Sequence, residues 1–296
     1  MHLTRALVGL HGAGRADTYD AALLDVAQDH LLWLLAELGF FDGDALVLKG
    51  GTSLRKCRLG GAGRFSTDLD FGAPSDDTVL AVCEALHGAS VSGFRYRLES
   101  TRGDGRHWSL TVEHEDLGRP NLGASIEFAR HPLALPPEML PFIVLPVHRG
   151  YAIQLPTLPV VSEPEACAEK LARYRRTALG RDAYDLAQLA GRSIDERLVR
   201  RLWVLKVWQD VNDDHRGRGP LTSDDVLKPR RPRDFAPESI GKLAQPVDLG
   251  GWERRVRERF VFLAKLDEDE RRWAACDLRD RREVEAAVAA GGFLSA

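Results

Sequence analysis

Lys49-Gly50-Gly51-Thr52-Ser53-Leu54-Arg55-Lys56, followed shortly by Arg64-Phe65-Ser66-Thr67-Asp68-Leu69-Asp70-Phe71, is the stretch that decides the fold of this chain. Just upstream, Ala45-Leu46-Val47-Leu48 is a short apolar run that stops abruptly at the two glycines, as a buried strand does when it enters a tight turn. Thr52 to Lys56 then opens a short helix. Thr67 to Phe71 alternates polar and apolar, which predicts a second strand, and Asp68 and Asp70, two apart on it, leave the same face. Gly50 and Gly51 let the backbone approach a phosphate closely, and Thr52 and Ser53 place hydroxyl donors beside a helix N-terminus. A plain tight turn also uses Gly-Gly, and the spacing of a Walker phosphate loop is absent.

Two adjacent carboxylates repel, and each makes the other costlier to ionise unless a cation sits between them. Magnesium takes one or two such oxygen ligands and completes its shell with water and substrate phosphates. A third carboxylate from a neighbouring strand would make a two-metal site, one ion activating the attacking hydroxyl and the other holding a triphosphate. Glu127, in the apolar-flanked strand Ala124-Ser125-Ile126-Glu127-Phe128, is the candidate. The competing accounts are a solvated Asp-X-Asp pair and an exposed strand glutamate paired with an arginine. Strand, Gly-Gly-Thr-Ser, helix, then a strand with two aspartates is far more specific than either half.

Outward from this centre, apolar residues at helical spacing predict a helix from about Asp17 to Leu38 and another from Ser75 to about Ala85. Further strands are expected at Phe94 to Leu98, Trp108 to Glu113 and Leu122 to Phe128, then a proline-rich connection to a strand at Ala152 to Leu155. From Glu163 the pattern is helical: Pro164 to Arg176, Asp182 to Leu189, Asp195 to Val211, Trp252 to Leu266 and Asp267 to about Ala290. Strands first and helices afterwards imply an α/β (α+β) fold with a helical C-terminal part and a boundary near Ser162. The expected domains are 1–162, catalytic, and 163–296, helical.

The chain has 296 residues, 44% hydrophobic and 29% charged, enough for one large domain or two modest ones. No apolar run is long enough to span a bilayer, and the first residues make a poor signal peptide, so no membrane partner is expected. Four scattered cysteines lack zinc-ligand spacing and read as free thiols of a reducing cytoplasm. A net charge of −3 argues against indiscriminate nucleic-acid coating but leaves room for a local basic groove.

Together with Glu169-Lys170-Leu171-Ala172 and Arg181-Asp182-Ala183-Tyr184-Asp185-Leu186, the two opening motifs resemble the AbiEii-type toxin nucleotidyltransferases, which include the MenT toxins of toxin–antitoxin pairs. The resemblance covers roughly residues 45 to 190. It implies a polymerase-beta-like nucleotidyltransferase fold, with Gly51 and Ser53 in the triphosphate loop and Asp68 and Asp70 on magnesium. It also implies Lys170 on nucleotide phosphates and Asp185 as the functional acid of the last motif. In such toxins a nucleoside monophosphate is joined from an NTP to a tRNA acceptor end, which blocks translation, and a cognate antitoxin is expected. The resemblance also implies that Ser66, two residues before Asp68, stands where phosphorylation can silence such toxins.

The residues alone leave other roles open. Lys170 suits a phosphate as a point charge but is otherwise a solvated helix lysine, and Asp185 either serves chemistry or pairs with Arg181. Arg173, Tyr174, Arg175 and Arg176 form either a basic wall toward RNA or a solvated helix face. The Lys228-Pro229-Arg230-Arg231-Pro232-Arg233 loop is the better candidate for a phosphate backbone than the arginines after Trp252, which acids interleave. None of the nine histidines falls in a catalytic or metal spacing. Trp203 and Trp208 read as core. The competing functions are nucleotide transfer to a small molecule or a protein hydroxyl, and a non-catalytic nucleotide-binding partner module.

Overall fold

Alternation of apolar and polar residues builds the sheet. In β4 (Phe94–Ser100) Phe94, Tyr96 and Leu98 are buried while Arg95, Arg97 and Glu99 face outward. The other strands of the sheet are β1 (Val47–Lys49), β2 (Asp68–Gly72), β3 (Ser90–Val91), β5 (His107–His114), β6 (Leu122–Ala129), β7 (Glu138–Pro141) and β8 (Thr157–Val160). Their spatial order is β3-β4-β5-β6-β2-β1-β8-β7. The β2–β6 and β1–β8 pairs are parallel and the others antiparallel, giving a mixed sheet. The computed structural model describes residues 2–43, 45–118 and 122–292. The chain divides into two units, one of Met1–Pro132, Pro137–Val161 and Lys242–Pro246, the other of Leu133–Pro136, Ser162–Gly241 and Val247–Ala296.

The first unit holds the sheet with helices α1 (Arg5–His11), α2 (Tyr19–Glu37), α3 (Gly50–Ser53) and α4 (Asp76–Leu86). Its core is formed by α2 residues such as Leu23, Leu31 and Leu35 against Leu48, Leu69, Phe71, Tyr96, Leu110, Ile126 and Phe128. The Tyr96 hydroxyl fastens β4 to α2 by donating to the Ala27 carbonyl at 2.8 Å. Because this face of β2 takes Leu69 and Phe71, the opposite face carries Asp68 and Asp70.

The second unit is helical: α5 (Glu163–Arg176), α6 (Gly180–Leu189), α7 (Glu196–Asn212), α8 (Asp224–Leu227), α9 (Leu249–Arg259), α10 (Glu268–Ala274) and α11 (Arg281–Ala289). Helix α5 packs on α7 and α6 on α9, around fully buried Trp203, Trp208, Trp273, Tyr174, Tyr184 and Phe260. The expectation that Trp203 and Trp208 are core therefore holds.

Three expectations need correction. The strand expected at Ala152–Leu155 lies instead at Thr157–Val160, because Leu158 and Val160 are the residues that reach the core, whereas Ala152 and Gln154 are exposed. The proline-rich connection contains β7, a strand at the outer edge of the sheet, where proline's missing N–H is tolerated. The helix expected over Asp267–Ala290 breaks after Ala274, where Cys276 takes a positive φ of 56°, and resumes as α11.

Candidate active site

Strand register assembles the acidic row. Asp70 stands directly opposite Lys49 of β1 on one side and Glu127 of β6 on the other, and Glu127 in turn opposes His107 of β5. Asp68 opposes Ser125, whose hydroxyl donates to Asp68 Oδ1 at 2.9 Å. Directly opposed residues share a face, so Lys49, Asp70, Glu127 and His107 form one row across four strands, with Asp68 and Ser125 one step along. Both aspartates are half-buried, and the Glu127 side chain is 48% exposed.

The glycine turn closes over this row. Gly50 adopts φ +68°, a left-handed conformation that a side chain rarely takes. A Cβ there would also collide with Asp70 Oδ2, so only glycine lets the turn lie against the carboxylate. At Gly51 a Cβ would meet the Arg64 guanidinium and the Ser66 hydroxyl. Helical structure begins at Gly50 and runs through α3 into a π-type segment, Leu54–Leu59.

The Thr52 and Ser53 hydroxyls each have a partner within the protein. The Thr52 hydroxyl donates to the Asp68 carbonyl at 2.5 Å and the Ser53 hydroxyl to the Gly50 carbonyl at 2.9 Å. The Thr52 bond ties the turn to β2, and the Ser53 bond is made within the turn. Backbone N–H groups at the start of the helical segment are what the loop can offer an anion. Ser66 is buried, its hydroxyl donating to the Asp68 carbonyl at 3.3 Å and its own carbonyl accepting from Gln28 Nε2 at 3.0 Å.

Beneath the loop lies a buried ionic cluster that periodicity alone hides. Lys56 Nζ reaches Asp25 Oδ1 at 2.7 Å and Asp29 Oδ1 at 2.6 Å, and Arg55 Nε reaches Asp25 Oδ2 at 3.0 Å. His11 sits 2.7 Å from Asp25, and the Tyr151 hydroxyl donates to Asp29 at 2.5 Å. Burial pushes the Asp25 carboxyl up, but Arg55, Lys56 and His11 more than reverse it, so it titrates well below the usual range. Burial likewise opposes, and Lys56 and His148 overcome, the shift of Asp29, which is also lowered. Two cations and two anions thus anchor the first turns after the glycines to α2.

In the second unit, Lys170 on α5 meets two carboxylates of α6, Asp185 Oδ2 at 2.7 Å and Asp182 Oδ1 at 3.5 Å. All three side chains are buried. The structure thus pairs Asp185 with Lys170, and an ammonium with three N–H donors keeps capacity beyond these carboxylates. The arginines that follow are engaged: Arg173 with Asp182, Arg175 with Asp225 and Arg176 with Asp210. Arg230 of the proline-rich basic loop lies 4.5 Å over the Tyr174 ring and donates to the Asp225 and Val226 carbonyls, so its guanidinium builds the unit rather than projecting toward a phosphate backbone.

Among the described residues, no three His, Cys, Asp or Glu side chains converge tightly enough to cage an ion by themselves. The donor set nevertheless suits magnesium, which wants hard oxygens and takes one or two carboxylates with water and phosphates. Asp68 and Asp70 supply those oxygens from one strand face, and Glu127 stands beside Asp70. His107, passed over in the sequence, lies 3.9 Å from Glu127 Oε2 and 2.8 Å from Asp104 Oδ2. Its spacing to the aspartates carries no motif, and only the register of β5 on β6 brings it here.

The chain is similar to known proteins over most of its length. Residues 33–281 match the family model described as nucleotidyl transferase AbiEii toxin, Type IV TA system. The fold superimposes on MenT4, a nucleotidyltransferase toxin of Mycobacterium tuberculosis H37Rv, with a TM-score of 0.94 and 66% identity over 97% of this chain and 98% of that one. A structure from H. pylori described as a candidate nucleotidyltransferase aligns with a TM-score of 0.49 and 17% identity over 85% of this chain and 96% of that one, a distance at which nothing about activity carries over. Comparison with curated proteins gives no match.

Proposed function

Because this chain belongs to the AbiEii family of nucleotidyltransferase toxins of type IV toxin–antitoxin systems, we propose that it transfers a nucleoside monophosphate from an NTP to the 3′ acceptor end of tRNA and so blocks translation. The terminal hydroxyl oxygen bonds to the α-phosphorus, the bond to the pyrophosphate oxygen breaks, and the hydroxyl proton passes to solvent. The observation that carries this proposal is the contact of the Gly50 turn with Asp70: the backbone of the glycine turn lies against one of the two β2 carboxylates.

In this proposal residues 1–162 supply catalysis, with Asp68, Asp70 and Glu127 as magnesium ligands and Gly50, Gly51, Thr52 and Ser53 shaping the triphosphate loop. Bound magnesium would supply the positive charge that neutralises the triphosphate and stabilises the transferring phosphoryl group. Residues 163–296 contribute Lys170 as the cation for the departing pyrophosphate, with Asp182 and Asp185 holding its ammonium, and take part in contacting RNA. Backbone N–H groups from Gly50 onward orient the phosphates. Phosphorylation at Ser66 would place about two negative charges beside the metal carboxylates and silence the enzyme. Since Ser66 is buried, the modifying reaction needs a local opening of the 64–67 segment. The partners are an NTP, tRNA and a cognate antitoxin protein, the setting is the cytoplasm, and no helix among the described residues is long and apolar enough to cross a membrane.

Incubating the protein with bulk tRNA, magnesium and each labelled NTP in turn, with Asp68→Ala as control, tests this. Label on tRNA 3′ ends that is lost in Asp68→Ala, with folding unchanged by circular dichroism, is the expected result. Full activity of Asp68→Ala would remove the metal assignment. Transfer only to a small molecule or a protein would remove the acceptor.

A further inference from the structure

A cavity of about 230 Å³ opens over β5 and β6 in the first unit, bordered by Thr101, Arg102, His107, Ser109, Ser125 and Glu127. Its floor continues the acidic row: Ser125 holds Asp68, and Glu127 is the register neighbour of Asp70. Accepting the nucleotidyl-transfer reading above, the direction of the reaction fixes what can enter. In-line displacement at phosphorus keeps the attacking and departing oxygens on opposite sides. The phosphate loop follows β1, on one side of β2. The attacking hydroxyl must therefore arrive from the other side, which is that of β6 and β5.

We propose that this cavity receives the 3′-terminal nucleoside of the RNA acceptor, and that Arg102 binds the phosphodiester joining it to the preceding nucleotide. Beside Trp108, Ala124 and Ile126, the walls carry hydroxyl, carboxylate and guanidinium groups that a ribose and a phosphate can engage. Ser109 offers a hydroxyl, Ser125 an acceptor oxygen whose proton is given to Asp68, and the second oxygen of a metal-bound Glu127 carboxylate can accept from a sugar hydroxyl. Arg102 is exposed, and among the described residues it makes no ion pair; its Nη1 donates to His107 Nε2 at 3.2 Å. Asp104, the carboxylate next in the loop, is already held, accepting from the Arg106 N–H at 3.0 Å and engaging His107 Nδ1 at 2.8 Å. His107 thereby braces the Arg102 guanidinium at the cavity rim. A planar guanidinium placed there matches a phosphodiester bidentately.

The test measures steady-state transfer to tRNA by wild type, Arg102→Ala, Arg102→Lys and Ser109→Phe, together with equilibrium binding of labelled NTP. Arg102→Ala is expected to raise the KM for tRNA about ten-fold and to lower the salt dependence of tRNA binding by about one counterion, leaving NTP binding unchanged. Arg102→Lys should recover part of the loss, since a point charge still meets the phosphate. Ser109→Phe fills the cavity and should abolish transfer while the protein still binds NTP. A raised KM for NTP with an unchanged KM for tRNA would make this a nucleotide pocket and overturn the proposal, as would Arg102→Ala and Ser109→Phe both indistinguishable from wild type. Wild-type protein that labels no tRNA would instead overturn the acceptor reading on which the proposal stands.

Discussion

Asp70 is held between a cation and a glycine, and that placement defines the residue scale. Lys49 faces it across the β1–β2 pair, and the Gly50 backbone occupies the space where any side chain would strike its Oδ2. Gly50→Ala therefore meets both a left-handed φ and a steric collision. It should lower stability by about 1–3 kcal/mol and cut kcat by two or more orders of magnitude, read by urea titration and tRNA labelling. A variant with wild-type turnover would mean that the loop does not need to touch the carboxylate. Lys170 raises a different problem, because its removal takes a cation away from two buried carboxylates, Asp182 and Asp185. Lys170→Ala should lose about 2–4 kcal/mol of transition-state stabilisation, the scale of one preorganised donor, and should also melt earlier. A raised nucleotide KM at unchanged kcat would show that Lys170 contributes uniform binding instead.

At the scale of elements, buried charges do what periodicity does not announce. Helix α2 carries Asp25, Gln28, Asp29 and His30 on surfaces that a plain amphipathic helix would leave in water, and the 55–58 segment answers them with Arg55 and Lys56. Helix α7 holds an acid of the opposite kind. Burial pushes the Asp210 carboxyl up to about 6, only partly offset by Arg176 at 3.1 Å. A carboxyl whose folded pKa is raised favours the protonated fold, so its contribution is full below the unfolded value and is lost as pH rises through about 6. Wild-type stability should fall by about 1.5 kcal/mol from about pH 5 to pH 8 on this account. Asp210→Asn should flatten that slope in urea titrations at the two pH values. Equal slopes in both proteins would assign the dependence elsewhere. Asp25 and Asp29, with lowered values, act only below the ordinary carboxylate range and stay out of this window.

The two units of the whole molecule are interleaved in sequence. Lys242–Pro246 belongs to the first unit although it follows most of the helices, and the Phe65 N–H donates to the Lys242 carbonyl at 3.0 Å. That bond lies one residue before Ser66 and three before Asp68. A fragment ending at Val161 lacks this strap beside the motif. It should fold with a less protected 64–68 segment and transfer no nucleotide, which hydrogen exchange and tRNA labelling would check; a fragment as active as the full chain would show that neither the strap nor Lys170 is needed.

What the sequence determined by itself is local: the buried strand before Gly50, the two aspartates on one face of β2, the helices around Lys170 and Asp185, and the order of strands before helices. Alternation and helical spacing act over a few residues, so they are legible without a partner. Family resemblance, resting on four short motifs, supplied the nucleotidyltransferase identity. Only the tertiary structure decided that Thr52 and Ser53 commit their hydroxyls to backbone carbonyls, that Arg230 covers Tyr174, and that Lys170 pairs with Asp185. It alone placed His107 beside Glu127, because register between β5 and β6 depends on how two distant segments bury their apolar faces together, and no spacing along one strand encodes that.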